Sequence, residues 1–132
     1  MIGGHLSFVG IEGMVGYRST LIETALLVSI SPHLACAERP GGVHPPVVQP
    51  ILAGVPEVWP TLLGYNSLTS KSTTQIVIRC DAGPLLVGSH GVGRSAAFVS
   101  DYAPRWRPPD SMGWPSCNRP YGNLRRWLTG ER

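Results

Sequence analysis

Lysine is almost missing from this chain, and charge of any kind is scarce. Lys71 stands alone, so the formal charge of +3, from 11 Lys+Arg against 8 Asp+Glu, is carried by arginines scattered along the sequence until the C-terminus. That scatter excludes the basic stripe of a nucleic-acid binder. With 14% charged and 42% apolar residues the chain is too greasy for intrinsic disorder. Long hydrophobic runs are missing too. The longest, Ala25 to Ile30, falls far short of the roughly 20 residues that cross a bilayer. The N-terminus lacks the charged region and apolar core of a signal peptide. Neither nucleic acid nor membrane is expected as a partner. Only Cys36, Cys80 and Cys117 carry thiols, they form no CxxC pair, and three is an odd number. Such usage fits a reducing compartment, so the expected location is cytoplasmic.

Glycine and proline are what the chain has in excess. Sixteen Gly and 13 Pro among 132 residues is about twice the usual share and excludes long helical bundles. The length suits one domain with an ordinary core.

Several elements follow from pattern. Met1, Ile2, Gly3 and Gly4 look like the end of a buried strand turning sharply. Thr20 to Ile30 reads as a helical turn and then a strand, with Thr20 and Glu23 spaced as a capping box. Seven prolines between Pro32 and Pro60 leave little regular structure there beyond a short strand at Val47 and Val48. The apolar residues of that stretch, among them Ile51, Trp59 and Leu62, predict a wrap packed on the core. Thr69 to Thr74 reads as a polar turn. Gln75 to Cys80, Leu85 to Ser89 and Arg94 to Ser100 then predict three strands in an antiparallel meander. Tyr102 to Arg119 reads as loop, and Asn123 to Leu128 as a terminal helix with Leu124, Trp127 and Leu128 on its inner face.

Three constellations invite chemistry. Gly88 to Ser95 (GSHGVGRS) matches a phosphate-binding loop except that Arg94 replaces the lysine. The competing reading is a hairpin turn whose glycines take positive φ. His5, His44 and His90 have no short spacing to each other or to a cysteine, and His33, three positions before Cys36, sits in the Pro-rich segment and reads as a loop-packing residue, so no metal and no cofactor is expected. Ser7 with His5 or His90 and Asp101 is a conceivable nucleophile, base and orienting carboxylate, but the GxSxG frame is absent. The alternative has Ser7 capping a turn and Asp101 receiving backbone donors.

The segments 1–13 (MIGGHLSFVGIEG), 50–68, 83–106 and 123–128 (NLRRWL), with their Gly-Tyr-Asn and Ser-Asp-Tyr-Ala-Pro stretches, resemble the C-terminal half of a bacterial family labelled "Putative glutamine amidotransferase". This is a branch of the class I glutamine amidotransferase-like superfamily, near the ThuA-like proteins. The resemblance implies an α/β fold: a partial flavodoxin-like sandwich with an antiparallel meander and Pro/Gly-rich loops, its crevice at the carboxyl ends of the strands. It further implies that residues 1–132 form a single partial domain whose N-terminal βα units are missing, as in a truncated or mis-started gene. Two short helices would then remain to cover the sheet.

The implied activity is glutamine hydrolysis by a cysteine on a sharp turn, assisted by a histidine after a later strand. The matching positions, Gly3 to Ser7 and Phe98 to Pro104, contain neither that cysteine nor that histidine. The reading is therefore a glutamine amidotransferase-like domain without independent glutaminase activity, the alternative being a non-catalytic ligand-binding or assembly module. Its candidate crevice residues are Gly3, Gly4, His5, Ser7, Ser100 and Asp101. A small polar ligand and self-association through an exposed sheet edge are the expected partners.

Overall fold

The computed structural model describes residues 1–4, 7–8, 16–31, 36–38, 40, 42–44, 50–80 and 83–131. In chain order these form α1 (Leu21–Ala25), β1 (Val28–Ile30), β2 (Cys36–Ala37), β3 (Val43–His44), a 3-10 turn (Pro50–Leu52), β4 (Tyr65–Asn66) and β5 (Leu68–Ser70). There follow β6 (Gln75–Cys80), β7 (Gly83–His90), β8 (Gly93–Ala97), α2 (Pro109–Met112) and α3 (Arg119–Thr129).

The predicted meander is present as the antiparallel run β6, β7, β8, extended at its far side by β3 in the order β3-β6-β7-β8. The β7–β8 hairpin closes through Gly91 and Val92, with His90 opposite Gly93. Gly91 has φ +57°, which L side chains adopt only with strain, so a glycine belongs there. The phosphate-loop reading of 88–95 is thereby overturned: its residues are two paired strands, not a strand entering a helix. Arg94 leaves the turn for the end of α3, where Nη1 donates to the Trp127 carbonyl and the guanidinium lies 5.3 Å from the indole centroid.

Alternation along β8 explains why the sheet is buried on both sides. Successive side chains of an extended chain point to opposite faces. Ala97 and Val99 enter one core with Phe8, Leu26, Val28, Ile30, Tyr65 and Leu68. Ala96 and Phe98 face the other, with Val43, Ile51, Leu62, Val77 and Ile78, covered by Trp59 and by Leu124 and Trp127 of α3. On one side lie α1 and the β1–β5 ribbon; on the other lie the Pro-rich wrap and α3. Helices and strands thus make a layered α/β arrangement around a small antiparallel sheet, and no helix among the described residues is long and apolar enough to cross a membrane. Residues 1–4 run beside Phe98 through a parallel bridge from Ile2, with Gly3 N–H donating to Phe98 O at 2.7 Å and Phe98 N–H to Met1 O at 2.9 Å.

Several local expectations need correction. Val47 and Val48 lie outside the described residues, and the strand from this stretch is Val43–His44, which pairs with Cys80 and Arg79. Thr69 and Ser70 belong to β5, paired with Ser29 and Val28, because tertiary pairing outweighs their turn-like polarity. Leu128 is 39% exposed, since only Leu124 and Trp127 of α3 reach the core. The loop 102–119 contains α2, begun by Pro109 in the first helical turn where proline's missing N–H costs nothing, so three helices rather than two occur among the described residues. The capping box does not close: Thr20 Oγ1 donates to Tyr17 O, while the Glu23 carboxylate accepts from the backbone of Ser19 and of Ile30.

Candidate functional site

The turn after residues 1–3 is built by close backbone approach. A Cβ on Gly3 would lie 2.3 Å from Val99 O and 2.6 Å from Asn66 Oδ1, so only glycine lets the first segment press against both. Asn66, the last residue of β4 and fully buried, is fastened beside it by donating its own N–H to Val99 O at 2.8 Å. Its amide then clasps the turn. Oδ1 accepts Gly4 N–H at 3.0 Å and Nδ2 donates to Gly4 O at 3.3 Å.

Ser7 lies on the same residues. Its hydroxyl has acceptors in Gly4 O at 3.0 Å and Asn66 Oδ1 at 3.4 Å. A hydroxyl has one proton, so it serves one of these at a time, and both point it away from the role of an activated nucleophile. Phe8, next in the chain, holds φ at 55° although it is a fully buried non-glycine residue. Backbone strain of this kind persists where the surroundings over-determine the conformation.

The second half of the crevice follows β8. Asp101 comes alongside Gly4: a Cβ there would be 3.5 Å from Asp101 Cβ and 3.9 Å from both Asp101 Oδ2 and Ser7 Oγ. The other Asp101 oxygen, Oδ1, accepts the Ala103 N–H at 3.0 Å, which fixes the carboxylate on its loop. Ser100 is fully buried and donates to Gly64 O at 2.8 Å, so it braces the floor instead of facing the crevice. Beneath Gly64 lies the indole of Trp106, completely buried, at 2.5 Å from where a Gly64 Cβ would stand. Trp106 Nε1 and Arg105 Nε both donate to Glu38 Oε1, at 3.2 and 2.8 Å. Burying such an aromatic contributes roughly 2–3 kcal/mol, enough to anchor this floor.

Of the residues singled out in the sequence, Gly3, Gly4, Ser7 and Asp101 therefore converge, Ser100 supports them from behind, and His5 lies outside the described residues. His90 sits at the far hairpin, opposite Gly93. Asn66 is the residue that sequence reasoning missed as a site member. It lies 62 positions from Gly4, and the sole signal was its place in the Gly-Tyr-Asn stretch. Strand β2 also pairs with β4, which sets Cys36 opposite Asn66 in the register. Among the described residues no group of three or more His, Cys, Asp or Glu side chains is placed to hold a metal ion.

The layered α/β arrangement around the small sheet is consistent with the family that the sequence resembles. The family model described as "Putative glutamine amidotransferase" matches residues 1–130, and the chain belongs to that family. Two solved structures share its fold at a TM-score of 0.90: "Cytoplasmic Protein STM1381 from Salmonella typhimurium LT2", 29% identical, and "Cytoplasmic Protein STM3548 from Salmonella typhimurium", 28% identical. Each alignment covers 97% of this chain but only 54% and 53% of the respective relative, so the chain spans about half their length. Among curated proteins none matches.

Proposed function

We propose that this glutamine amidotransferase-like domain holds a small polar ligand at the Gly3–Ser7 turn and does not hydrolyse glutamine by itself. One observation carries the reading: the hydroxyl of Ser7 is directed to two oxygen acceptors, Gly4 O and Asn66 Oδ1, and the turn itself contains no cysteine. Acyl transfer from glutamine needs a nucleophile whose proton goes to a base; among the described residues the Ser7 proton goes only to a carbonyl or an amide oxygen. The ligand's donors would meet the Asp101 carboxylate and the lone pairs of the Ser7 hydroxyl, whose own proton stays with Gly4 O or Asn66 Oδ1. Gly3 and Gly4 would form the rim, with Ser100 behind it. The cytoplasm is the proposed location, in keeping with the description of both solved relatives as cytoplasmic proteins.

Incubating the purified chain with glutamine and measuring ammonia tests the catalytic half. No release above a heat-inactivated control is expected. Release that disappears in Cys36→Ala, or that survives replacement of Cys36, Cys80 and Cys117 together, would overturn it. The binding half is tested by thermal shift over a panel of amino acids and small amides: a hit lost in Asp101→Ala supports the crevice.

A second role, assembly, rests on the outer position of β3 in the four-stranded sheet, where another copy would add; the other outer strand, β8, is bordered by residues 1–3. Light scattering across protein concentrations distinguishes monomer from oligomer.

A further inference from the structure

On the opposite side of Phe98 from the Gly3 turn, a cleft of about 30 Å³ is lined by Trp59, Phe98, Arg107, Trp114, Cys117 and Tyr121, among others. Its walls are aromatic, with Trp59 and Trp114 centroids 5.2 Å apart. Arg107 is the exception. It is only 5% exposed, and its guanidinium is braced on one side: Nε donates to Ser111 Oγ at 3.2 Å, and Nη2 to Ser111 O at 2.9 Å and to Cys117 Sγ at 3.3 Å. The Tyr102 ring stacks 4.4 Å from its Cζ. The remaining nitrogen, Nη1, is buried without a hydrogen-bond partner, and so is Trp59 Nε1 on the same cleft.

This is an incomplete electrostatic arrangement. A guanidinium keeps its charge at any accessible pH, and taking it out of water is costly unless an anion faces it. Among the described residues no carboxylate forms an ion pair with Arg107. The neighbouring phenols do not substitute, because burial pushes both Tyr102 and Tyr121 up and leaves them neutral. Two unpartnered donors in an apolar enclosure are what a carboxylate would complete. Size narrows the choice further. A water-sized group needs about 10–15 Å³ of such space, so the interior takes a carboxylate and little more.

We propose that this cleft is a binding site for a short-chain monocarboxylate of about acetate size. The carboxylate takes Arg107 Nη1 and Trp59 Nε1, and the alkyl end lies against Phe98 and Tyr121. The site is separate from the Gly3–Ser7 turn and stands whether or not that turn binds a ligand.

Cys117 provides the reporter, since its sulfur lies beside the guanidinium. Iodoacetate carries the proposed ligand's carboxylate on the same two-carbon frame, and iodoacetamide is its neutral counterpart; in each case the sulfur displaces iodide. Alkylation rates at Cys117, followed by peptide mass spectrometry on the intact chain, should give an iodoacetate-to-iodoacetamide ratio about tenfold above that of glutathione, a preference of about 1.4 kcal/mol. Acetate should slow the iodoacetate reaction where chloride at equal ionic strength does not. Trp59→Phe keeps the ring and removes the Nε1 donor, and should weaken acetate protection about threefold. Arg107→Gln should abolish it; if that variant fails to fold, Trp59→Phe and the wild-type ratio decide. A Cys117 ratio equal to that of glutathione, or acetate protection no better than chloride, overturns the site.

Discussion

Asn66 and Gly4 hold each other by a reciprocal pair of hydrogen bonds: the amide oxygen of Asn66 accepts the Gly4 N–H at 3.0 Å while its nitrogen donates to the Gly4 carbonyl at 3.3 Å. One buried side chain thus acts as a missing strand for the turn, satisfying both polar groups of a peptide residue that has left the sheet. Gly4 and Ser7 are both positioned through it, because Ser7 reaches the same amide oxygen.

Asn66→Ala is expected to destabilise the fold by about 2–3 kcal/mol, the cost of leaving buried peptide groups without partners. Asn66→Asp is no rescue: it keeps an acceptor for Gly4 N–H but sets a buried carboxylate against the Gly4 carbonyl. Urea unfolding monitored by tryptophan fluorescence measures both, and a loss below about 0.5 kcal/mol for the alanine variant would show that the clasp contributes nothing.

The β7–β8 hairpin makes the second prediction. Gly91→Ala should cost about 1 kcal/mol from the positive φ alone, because no atom lies within 4 Å of the added methyl. The same hairpin predicts that ATP leaves the melting temperature unchanged. ATP stabilisation that vanishes in Arg94→Ala would restore the phosphate-loop reading.

Glu23 gives the fold a pH dependence of known sign. Burial would push its carboxyl up, but the N–H groups of Ile30 and Ser19, helped by Lys71 and Arg18, outweigh that and hold it below the usual glutamate range. A depressed carboxyl contributes stability that is fully present above the unfolded-state pKa of about 4.3 and is lost as pH falls through the lower folded value. Glu23→Gln should therefore lower the urea midpoint at pH 6 and converge on the wild type near pH 3. Equal differences at the two pH values would contradict the assignment.

Local regularity was legible where neighbours along the chain decide the outcome. Three consecutive short strand-like stretches from Gln75 to Ser100, joined by tight turns, predicted the meander, and the chain from Thr20 predicted α1 followed by β1. Val43 was not legible as a strand, since a two-residue element among prolines has no periodicity; it is a strand because β6 offers Cys80 and Arg79 as partners. Ser100 looked like a crevice residue from its place after β8. Its contact with Gly64 O, 36 positions away, was not legible from its place in the chain.

Composition and order along the chain determined that this is an α/β chain of the amidotransferase-like family, poor in charge and with no thiol in its glycine turn. Those properties are carried by each residue and its immediate neighbours. Tertiary structure alone decided that Asn66 clasps the turn, that Ser7 is turned toward acceptors, and that Arg107 is buried with one nitrogen unpaired. Such outcomes depend on which distant strands close on each other and on what water is excluded when they do, and neither quantity is written in any local stretch of sequence.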